Sequence, residues 1–523
     1  MKFFRLFMCA AAGVVWLFST AVYADVKPST IFQSNMVLPR ECPMPVWGTA
    51  EPGEVVEVSF DGQKKSVTAD KYGKWQITFE PLKMNKNGQE MILKGKKNRV
   101  VLNNILVGDV WLCGGQSNME WPFSSKVLDG GKHMKESANF PLIRRVKVKR
   151  LNSDDPLDHV QIQYDWSVCG PKTISTWSTA AYYFARRIHL ETGVPIGILE
   201  NNAGGTPIVL FTATSAFTID NKPWGAVKPY VHGTPEYKKR AEENIRIRRE
   251  WLKAAEMAMQ DGLPLPALPI RPHKTGYLAL YYNTMVAPLA RFPVKGVIWY
   301  QGCSDAKAGM NYYQSMHRLV KGWRDTWKKE LPFYFVQLAA FQKATNDPQG
   351  GDGFAMIREA QRKSMDLPNT GMACTIDIGM QNDIHPKNKL DVGERLARWA
   401  LRDLYGKKDV VVSGPLFKSM EIKNGKAVLS FDYAKGLMTA KKTGLAKPVP
   451  VKAKPAHFAI AGADKVWHWA DAEIKGEQVI VASDKVKNPV AVRYAFRSYP
   501  DGVNMYNAAG LPMVPFRTDN WKK

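Results

Sequence analysis

The sequence predicts an α/β protein built on a doubly wound parallel sheet, with β-rich modules on both sides of it. Over residues 105–408, short apolar runs alternate with longer helix-like stretches, the pattern of strands joined by crossover helices. Before and after that region, short strand-like runs are separated by glycine and proline turns. The 523 residues suffice for roughly two to four such units.

The first 24 residues are predicted to be a signal peptide and not part of the fold. Lys2 and Arg5 give it a positive start, residues 8–18 are apolar, and residues 21–24 offer the small side chains of a cleavage site. The apolar run is too short for a comfortable membrane span. We therefore expect an exported protein, periplasmic or extracellular, without a transmembrane segment.

The β-rich modules are predicted over residues 25–104 and 409–523. In the first, the runs at 55–60 and 75–79 are bounded by Asp-Gly and Tyr-Gly turn signals, which predicts a small β-sandwich or jelly roll. In the second, runs such as 427–431 return with similar turns.

The central region 105–408 is where we expect the chemistry. Ligands of doubly wound sheets bind beyond the carboxyl ends of the parallel strands. The predicted strands are 107–112, 195–200, 294–300, 333–338 and 371–376. The predicted helices are 178–191, 312–329, 353–365 and 389–405.

An insertion over residues 226–272 interrupts this alternation. Residues 237–260 are rich in Lys, Arg, Glu and Ala and predict an exposed helix, and the proline-rich residues 263–272 predict a linker. A charged helix of this kind is usually a solvated face. A contribution to the rim of the substrate site is the alternative interpretation.

The formal net charge of +25 invites a nucleic-acid interpretation, but Lys and Arg are spread along the whole chain without a recognisable nucleic-acid motif. Attraction to acidic glycans or to a negative cell envelope accounts for the charge equally well. We therefore expect no nucleic-acid partner. The cysteines show no CxxC pair or Cys/His cluster, so we expect buried thiols, with one disulfide left open, and neither a metal nor another cofactor.

Polar or glycine-rich segments follow the predicted strands. Ser117 is reached through Gly114 and Gly115, and Gly204-Gly205 follows the second strand. A carboxamide comes from Gln301, and His385 follows the last strand with aspartates nearby. Together these segments supply a hydroxyl, uncovered backbone amides, a carboxamide and an imidazole near carboxylates. These are the groups that acyl transfer requires.

The same segments resemble the sequence blocks of the sialate O-acetylesterases, which belong to the SGNH superfamily of serine hydrolases alongside related acetyl xylan esterases. The resemblance extends through nearly all of the chain after the leader. The blocks are Gly-Asp-Val-Trp-Leu-Cys-Gly-Gly-Gln-Ser-Asn-Met at 108–119, Gly-Gly-Thr-Pro-Ile at 204–208, Gly-Val-Ile-Trp-Tyr-Gln-Gly at 296–302 and Asp-Ile-His-Pro-Lys-Asn-Lys at 383–389. Several separated motifs in the family's order are far more specific than one of them.

The resemblance implies an SGNH-type domain, a flavodoxin-like three-layer α/β/α unit. It also implies a serine esterase that removes O-acetyl groups from carbohydrates. O-acetylated sialic acids are the first expected substrate, and acetyl xylan and other hemicelluloses are the second. A non-catalytic glycan-binding envelope protein stays open as another class, because Asn382 and Cys303 depart from the family pattern.

In this scheme Ser117 attacks the acetyl carbonyl and His385 takes the proton of its hydroxyl. The oxyanion is expected to meet the Ser117 backbone amide, an amide of Gly204 or Gly205 and, by the resemblance, the Gln301 carboxamide. A loop glutamine that satisfies backbone groups is the alternative interpretation of Gln301.

The acid that orients His385 is the least determined member of the predicted site. Related hydrolases often have Asp three residues before the histidine, but Asn382 stands there, so Asp383 is our candidate. Asp377 is the reserve, and a dyad without a carboxylate stays open. This chain has Cys303 at a position where many relatives have Glu. A cysteine nucleophile paired with a histidine is therefore a competing hypothesis, which we rank below Ser117.

Four further residues are predicted to bind substrate. Asn118 is next to the nucleophile in the sequence. The alternative interpretation is that its side chain stabilises the turn around Ser117. Trp299 and Tyr300 flank the site and offer faces for a sugar ring, with core packing as the alternative. Arg358 offers a guanidinium to an acidic sugar, with a structural ion pair as the alternative.

Overall fold

The computed structural model describes residues 25–219, 222–223, 228, 233–266 and 278–521. The predicted signal peptide, residues 1–24, and the larger part of the predicted linker 263–272 lie outside this range. Within the described ranges, no helix is both long enough and apolar enough to span a bilayer.

The N-terminal region and the central sheet share one long strand, β8. Its first half pairs with β7 and β2, and its second half continues into the centre of the large sheet. The predicted boundary between residues 104 and 105 therefore lies inside a strand that both regions use. The strands of this region are β1 Lys27–Pro28, β2 Val37–Pro39, β3 Met44–Thr49, β4 Val55–Phe60, β5 Gln63–Thr68, β6 Lys74–Phe79, β7 Asn85–Lys94 and β8 Arg99–Gly115.

The central sheet is parallel throughout its middle, which confirms the predicted fold class. Its strand order is β10-β9-β11-β8-β14-β15-β16, and only the edge strand β10 runs antiparallel to its neighbour. The strands of this region are β9 Ile143–Val148, β10 Ile162–Val168, β11 Ile196–Asn202, β12 Thr218–Ile219, β13 Lys222–Pro223, β14 Gly296–Tyr300, β15 Phe333–Val336 and β16 Thr370–Ala373.

Strand β9 was not predicted, because three of its residues are charged. The strand is nonetheless buried along its whole length. Arg145 lies 3.2 Å from the carboxylate of Glu200. Lys147 lies 2.7 Å from Glu120. Paired charges of this kind can be buried, but a single sequence does not reveal the partners.

Helices cover both faces of the sheet. Phe333 and Tyr334 are consecutive in β15 and so point to opposite faces. The Phe333 ring lies 5.9 Å from that of Trp323 in helix α5. Tyr334 packs on Trp111, whose ring meets Phe184 of helix α3 on the other face. The helices are α1 Ser117–Glu120, α2 Gly130–Glu136, α3 Thr179–Thr192, α4 Pro235–Gln260, α5 Asn311–Trp327, α6 Ala355–Lys363 and α7 Lys389–Leu404.

The C-terminal region, predicted to be β-rich, is a β-sandwich. Two four-stranded antiparallel sheets, β17-β18-β24-β23 and β22-β21-β25-β27, share an apolar core that includes Leu429, Ile460, Val479 and Phe516. The strands are β17 Leu416–Lys423, β18 Lys426–Asp432, β19 Met438–Lys441, β20 Val449–Pro450, β21 Phe458–Ala461, β22 Trp467–Trp469, β23 Asp471–Lys475, β24 Gln478–Ala482, β25 Ala491–Tyr494, β26 Met505–Tyr506 and β27 Phe516–Arg517.

Candidate active site

Three loops of the central sheet begin side by side. In the strand register, Gly115 at the end of β8 lies opposite both Asn202 of β11 and Tyr300 of β14. The segments that follow these strands therefore leave the sheet at the same edge. From β8 the chain winds first to one side of the sheet and then to the other, so this edge is the switch point at which such sheets bind ligands.

The turn that carries Ser117 depends on a glycine. Gly115 has φ +136°, and a Cβ there would lie 2.2 Å from the carbonyl oxygen of Tyr300. Only glycine fits this position without moving the strand. Ser117 then begins helix α1, so the helix itself provides no acceptor for the backbone N–H of Ser117. Its side chain is partly exposed, whereas its neighbours on both sides are buried.

Gln116 ties this turn to the loop after β14. Its backbone N–H donates to the carbonyl oxygen of Tyr300 at 3.0 Å. Its side-chain oxygen accepts 3.2 Å hydrogen bonds from the backbone N–H groups of Gly302 and Ser304. The position of Ser117 is therefore set by two neighbouring strand ends.

The structure brings together the predicted nucleophile and base. Ser117 Oγ lies 2.9 Å from His385 Nε2, although the two residues are 268 positions apart in the chain. The imidazole stacks on the indole of Trp121, with ring centroids 4.1 Å apart and an interplanar angle of 19°. The indole N–H of Trp121 donates to the carbonyl oxygen of Ser125 at 2.9 Å, which holds the stacking surface in place.

Asp383 is the carboxylate beside the histidine. Its Oδ1 accepts a 2.9 Å hydrogen bond from the backbone N–H of His385 and lies 3.6 Å from His385 Nδ1. The second distance is too long for a hydrogen bond but close for two charges. The reserve candidate, Asp377, is buried and binds Arg395 through both carboxylate oxygens, at 2.6 and 2.8 Å. The structure therefore contradicts Asp377 as the orienting acid.

The surroundings favour a neutral imidazole. Burial lowers the pKa of His385, the positive charge of Lys389 lowers it further, and Asp383 partly offsets both effects. Lys389 itself is fully buried, and burial lowers the pKa of its ammonium to about 7. A neutral Nε2 can accept the proton of the Ser117 hydroxyl, so this shift suits a general base.

Asn118 joins the serine turn to the histidine loop and does not face substrate. Its side chain is 1% exposed. Its Nδ2 donates to the carbonyl oxygen of Ile384 at 2.9 Å and lies 3.9 Å from Cys303 Sγ, while its Oδ1 accepts from Lys389 Nζ. The substrate-binding prediction for Asn118 is wrong, and the alternative interpretation, a side chain that stabilises the turn, describes its contacts. Lys389 was missed, although its place in the 383–389 block was a usable signal.

The glycine pair after β11 lies against the nucleophile. A Cβ at Gly204 would lie 3.6 Å from Ser117 Cβ. The Gly204 amide, however, donates to Glu120 Oε2 at 2.8 Å, and Glu120 also binds Lys147. The prediction of an oxyanion amide is therefore contradicted for Gly204 in this arrangement. Gly205 follows it, exposed and with φ +70°.

The structure also contradicts Gln301 as an oxyanion donor. The side chain is completely buried. Its Nε2 donates to the carbonyl oxygen of Thr206 at 3.1 Å and to Asp305 Oδ2 at 2.5 Å, and its Oε1 accepts from the Tyr312 hydroxyl at 2.7 Å. Both amide hydrogens are thus in use, as buried polar groups require. The alternative interpretation, a glutamine that satisfies neighbouring loop groups, is confirmed.

Trp299 and Tyr300 are core residues, so their predicted contact with sugar is wrong. Both are 1% exposed. The Trp299 ring meets those of Phe211 and Trp323 edge-on. Strand β14 is covered by helices on both faces, so consecutive side chains are buried whichever way they point.

Arg358 is likewise buried, and its predicted contact with an acidic sugar is wrong. Its guanidinium donates to the carbonyl oxygens of Ala339 and Ser498, both at 3.3 Å. Within the described residues, Arg358 also does not form the ion pair with a carboxylate that was the alternative interpretation. Arg358 attaches helix α6 to the C-terminal sandwich through backbone carbonyls.

The cysteines give no support to a thiol nucleophile. Burial raises the pKa of Cys303 to about 12, so its thiol stays protonated near neutral pH. Cys42, Cys113, Cys169, Cys303 and Cys374 are all free. In the part of the chain that the structure describes, His, Cys, Asp and Glu side chains nowhere form a group of three that could hold a metal ion.

The insertion packs against the loop that follows β9. From helix α4, the Tyr237 hydroxyl donates to Asp155 at 3.0 Å, and Arg240 lies 3.2 Å from Asp154. Arg150 belongs to the same loop, nearer to β9, and its Nη1 lies 3.5 Å from the carbonyl oxygen of Gly204. Of the residues of helix α4 only Arg240 and Ala255 are buried, so the predicted solvated face describes most of the helix, and only its first turns pack against this loop.

Comparisons with known proteins find similar carbohydrate esterases. Residues 271–402 match the family model described as carbohydrate esterase, sialic acid-specific acetylesterase. The sialate O-acetylesterase of Homo sapiens is 25% identical, over 93% of this chain and 91% of that protein. The one of Mus musculus is 27% identical, over 74% of this chain and 75% of that protein. A solved structure of a carbohydrate acetylesterase from Xanthomonas citri is 33% identical and has a TM-score of 0.78, covering 95% of this chain and 100% of that chain.

Proposed function

The chain belongs to the sialate O-acetylesterase family of carbohydrate esterases, and on this basis we propose that it removes O-acetyl groups from carbohydrates through an acetyl-enzyme on Ser117. Members of this family are carboxylic ester hydrolases. The observation that carries the mechanism is the 2.9 Å distance between Ser117 Oγ and His385 Nε2.

In the first half-reaction, Ser117 Oγ attacks the acetyl carbonyl carbon while His385 Nε2 takes the hydroxyl proton. The bond between the acetyl carbon and the sugar oxygen then breaks, and His385 returns the proton to that oxygen. In the second half-reaction, His385 takes a proton from a water molecule, and the water oxygen attacks the acetyl carbon. The bond between that carbon and Ser117 Oγ then breaks, His385 returns the proton to Oγ, and acetate leaves.

The backbone N–H of Ser117 is our first donor for the oxyanion, because helix α1 leaves it without an acceptor of its own. The amide of Gly205 is the second, since the Gly204 amide is held by Glu120. Fixed donors of this kind are each worth about 3 kcal/mol of barrier height.

Asp383 orients the base and stabilises the imidazolium. Its Oδ1 lies 3.6 Å from His385 Nδ1. When His385 takes the serine proton, the ring becomes a cation and the attraction of the carboxylate grows. Catalytic hydrogen bonds of this kind are often long before substrate binds.

For the substrate, O-acetylated sialic acids come first and acetylated hemicelluloses second. The first choice is supported by the names of the human and mouse relatives, and the second by the more general name of the Xanthomonas protein. Such polymers and glycans lie outside the cytoplasm, which fits export through residues 1–24. Amino-terminal sequencing of the mature protein tests the export proposal, with Asp25 expected as its first residue.

The mechanism is tested with 4-nitrophenyl acetate as substrate. Wild type is expected to release acetate and to carry an acetyl group on Ser117 in rapidly quenched samples analysed by mass spectrometry. Ser117→Ala is expected to do neither. Ser124→Ala is the matched control, since Ser124 is exposed on the following loop. Equal rates for wild type and Ser117→Ala would refute the acetyl-enzyme, and inactivity of both would favour the glycan-binding alternative.

A further inference from the structure

We propose that Arg150 is a specificity-determining residue, which binds the carboxylate of an acidic sugar at the rim of this site. The inference rests on the proposed function, because it presumes a sugar ester attacked by Ser117. It names Arg150 as the residue that recognises the negative charge of the substrate. This recognition would distinguish acidic from neutral acetylated sugars.

The Arg150 guanidinium is exposed but held in place. Its Nε donates to the Tyr281 hydroxyl at 2.5 Å, and its Nη1 approaches the carbonyl oxygen of Gly204 at 3.5 Å. Its Cζ lies 5.1 Å from the centre of the Tyr281 ring. Tyr281 is itself buried, so it provides a fixed anchor. An anchored side chain loses little conformational entropy when it binds a ligand.

Gly204 lies between the Arg150 guanidinium and the nucleophile Ser117. Gly204 contacts Arg150 through its carbonyl oxygen, and a Cβ at Gly204 would lie 3.6 Å from Ser117 Cβ. Arg150 and Ser117 thus border the same glycine, and on the proposal the carboxylate and the acetylated hydroxyl of one sugar bind one to each.

The positive charge of Arg150 is not cancelled within the described residues. None of their carboxylates forms a salt bridge with it. Two acids close to it in the chain, Asp154 and Asp155, are both paired with Arg240. Glu120 on the other side of Gly204 is neutralised by Lys147.

The remaining N–H donors suit a carboxylate. Arg150 uses its Nε–H and one Nη1–H, and within the described residues its Nη2 donates to no acceptor. A guanidinium presents two parallel N–H groups that match both oxygens of a carboxylate. A lysine at this place would offer a point charge without that geometry.

The experiment compares 9-O-acetyl-N-acetylneuraminic acid with its methyl ester, which removes the charge and keeps the acetyl group. Wild type is expected to prefer the acid, and Arg150→Met to lower the ratio of the two kcat/KM values by roughly tenfold, mainly through the KM of the acid. Arg150→Lys is expected to recover part of the ratio. Lys149→Met, which removes an exposed charge from the neighbouring position, is expected to leave the ratio at its wild-type value.

Two results would overturn the proposal. The first is a wild-type enzyme that hydrolyses the acid and its methyl ester equally well. The second is an Arg150→Met variant that loses activity on both by the same factor, which would make Arg150 a structural residue. Hydrolysis of 4-nitrophenyl acetate by wild type distinguishes these failures from a failure of the proposed function, because it requires Ser117 and no carboxylate.

Discussion

Lys389 donates a buried hydrogen bond to the side-chain oxygen of Asn118, the residue next to the nucleophile. The ammonium lies 5.3 Å from the Tyr300 ring and 5.9 Å from the Trp121 ring, so aromatic faces also stabilise its charge. The side-chain amide of Asn118 in turn donates a hydrogen bond to the carbonyl oxygen of Ile384, the residue before the catalytic histidine. One lysine therefore fixes the relative position of serine and base and also acts on the charge of the base.

Lys389→Met should move the acidic limb of the pH profile of kcat/KM to higher pH. The positive charge of Lys389 lowers the pKa of His385, so removing the charge raises that pKa, and a higher pH is then needed to keep the imidazole neutral. At the acidic limb Lys389 is charged, because its own pKa is about 7.

The matched control is Lys363→Met, which removes an exposed lysine from helix α6. Its acidic limb should coincide with that of wild type. A Lys389→Met limb that stays at the wild-type pH, whatever the change in overall rate, would contradict the electrostatic role.

Asn118→Ala should lower both stability and kcat. The substitution leaves the buried Lys389 ammonium and the partly buried Ile384 carbonyl without their partner, which costs about 2 kcal/mol or more in the free energy of unfolding. Urea unfolding and steady-state kinetics measure the two effects. Asn382→Ala, on the exposed part of the histidine loop, should change neither.

Asp383→Asn should lower kcat by roughly a hundredfold or more, because the imidazolium loses its partner. Asp383 raises the pKa of His385, so its loss should also shift the acidic limb to lower pH, opposite to the effect of Lys389→Met. In a Ser-His dyad kcat would stay close to the wild-type value, although the acidic limb would still shift, because the charge of Asp383 lies beside the ring in either case.

Asp377→Asn, in contrast to Asp383→Asn, should lower stability and leave the pH profile unchanged. It breaks the buried pair with Arg395 and leaves that guanidinium without its partner, which should lower the free energy of unfolding by about 3 kcal/mol or more. The pH profile of the molecules that remain folded should keep its wild-type shape. A shifted acidic limb in this variant would restore Asp377 as the orienting acid.

Gln301→Leu should act on stability more than on catalysis. It removes three buried hydrogen bonds, and their loss should lower the free energy of unfolding by about 2 kcal/mol or more. In the folded fraction, kcat should fall less than about tenfold. Loss of an oxyanion donor instead costs about a hundredfold or more, so a fall of that size with unchanged stability would return Gln301 to the oxyanion.

Ser117 and His385 were predictable because parallel strands release their loops at one edge of the sheet. Each follows a strand whose apolar run is visible in the sequence, and the sheet then brings together residues 268 positions apart. Strand β9 was missed because its Arg and Lys residues are buried only through partners such as Glu200 and Glu120, far away along the chain.

By itself, the sequence determined the fold class and the meeting of nucleophile and base, since both follow from local strand and helix patterns and the geometry of a doubly wound sheet. Only the tertiary structure decided which polar groups remain available for chemistry. Gln301 is saturated by Thr206, Asp305 and Tyr312, and the Gly204 amide by Glu120. Hydrogen bonding depends on distance and direction between groups remote in the chain, and residue order alone does not carry that information.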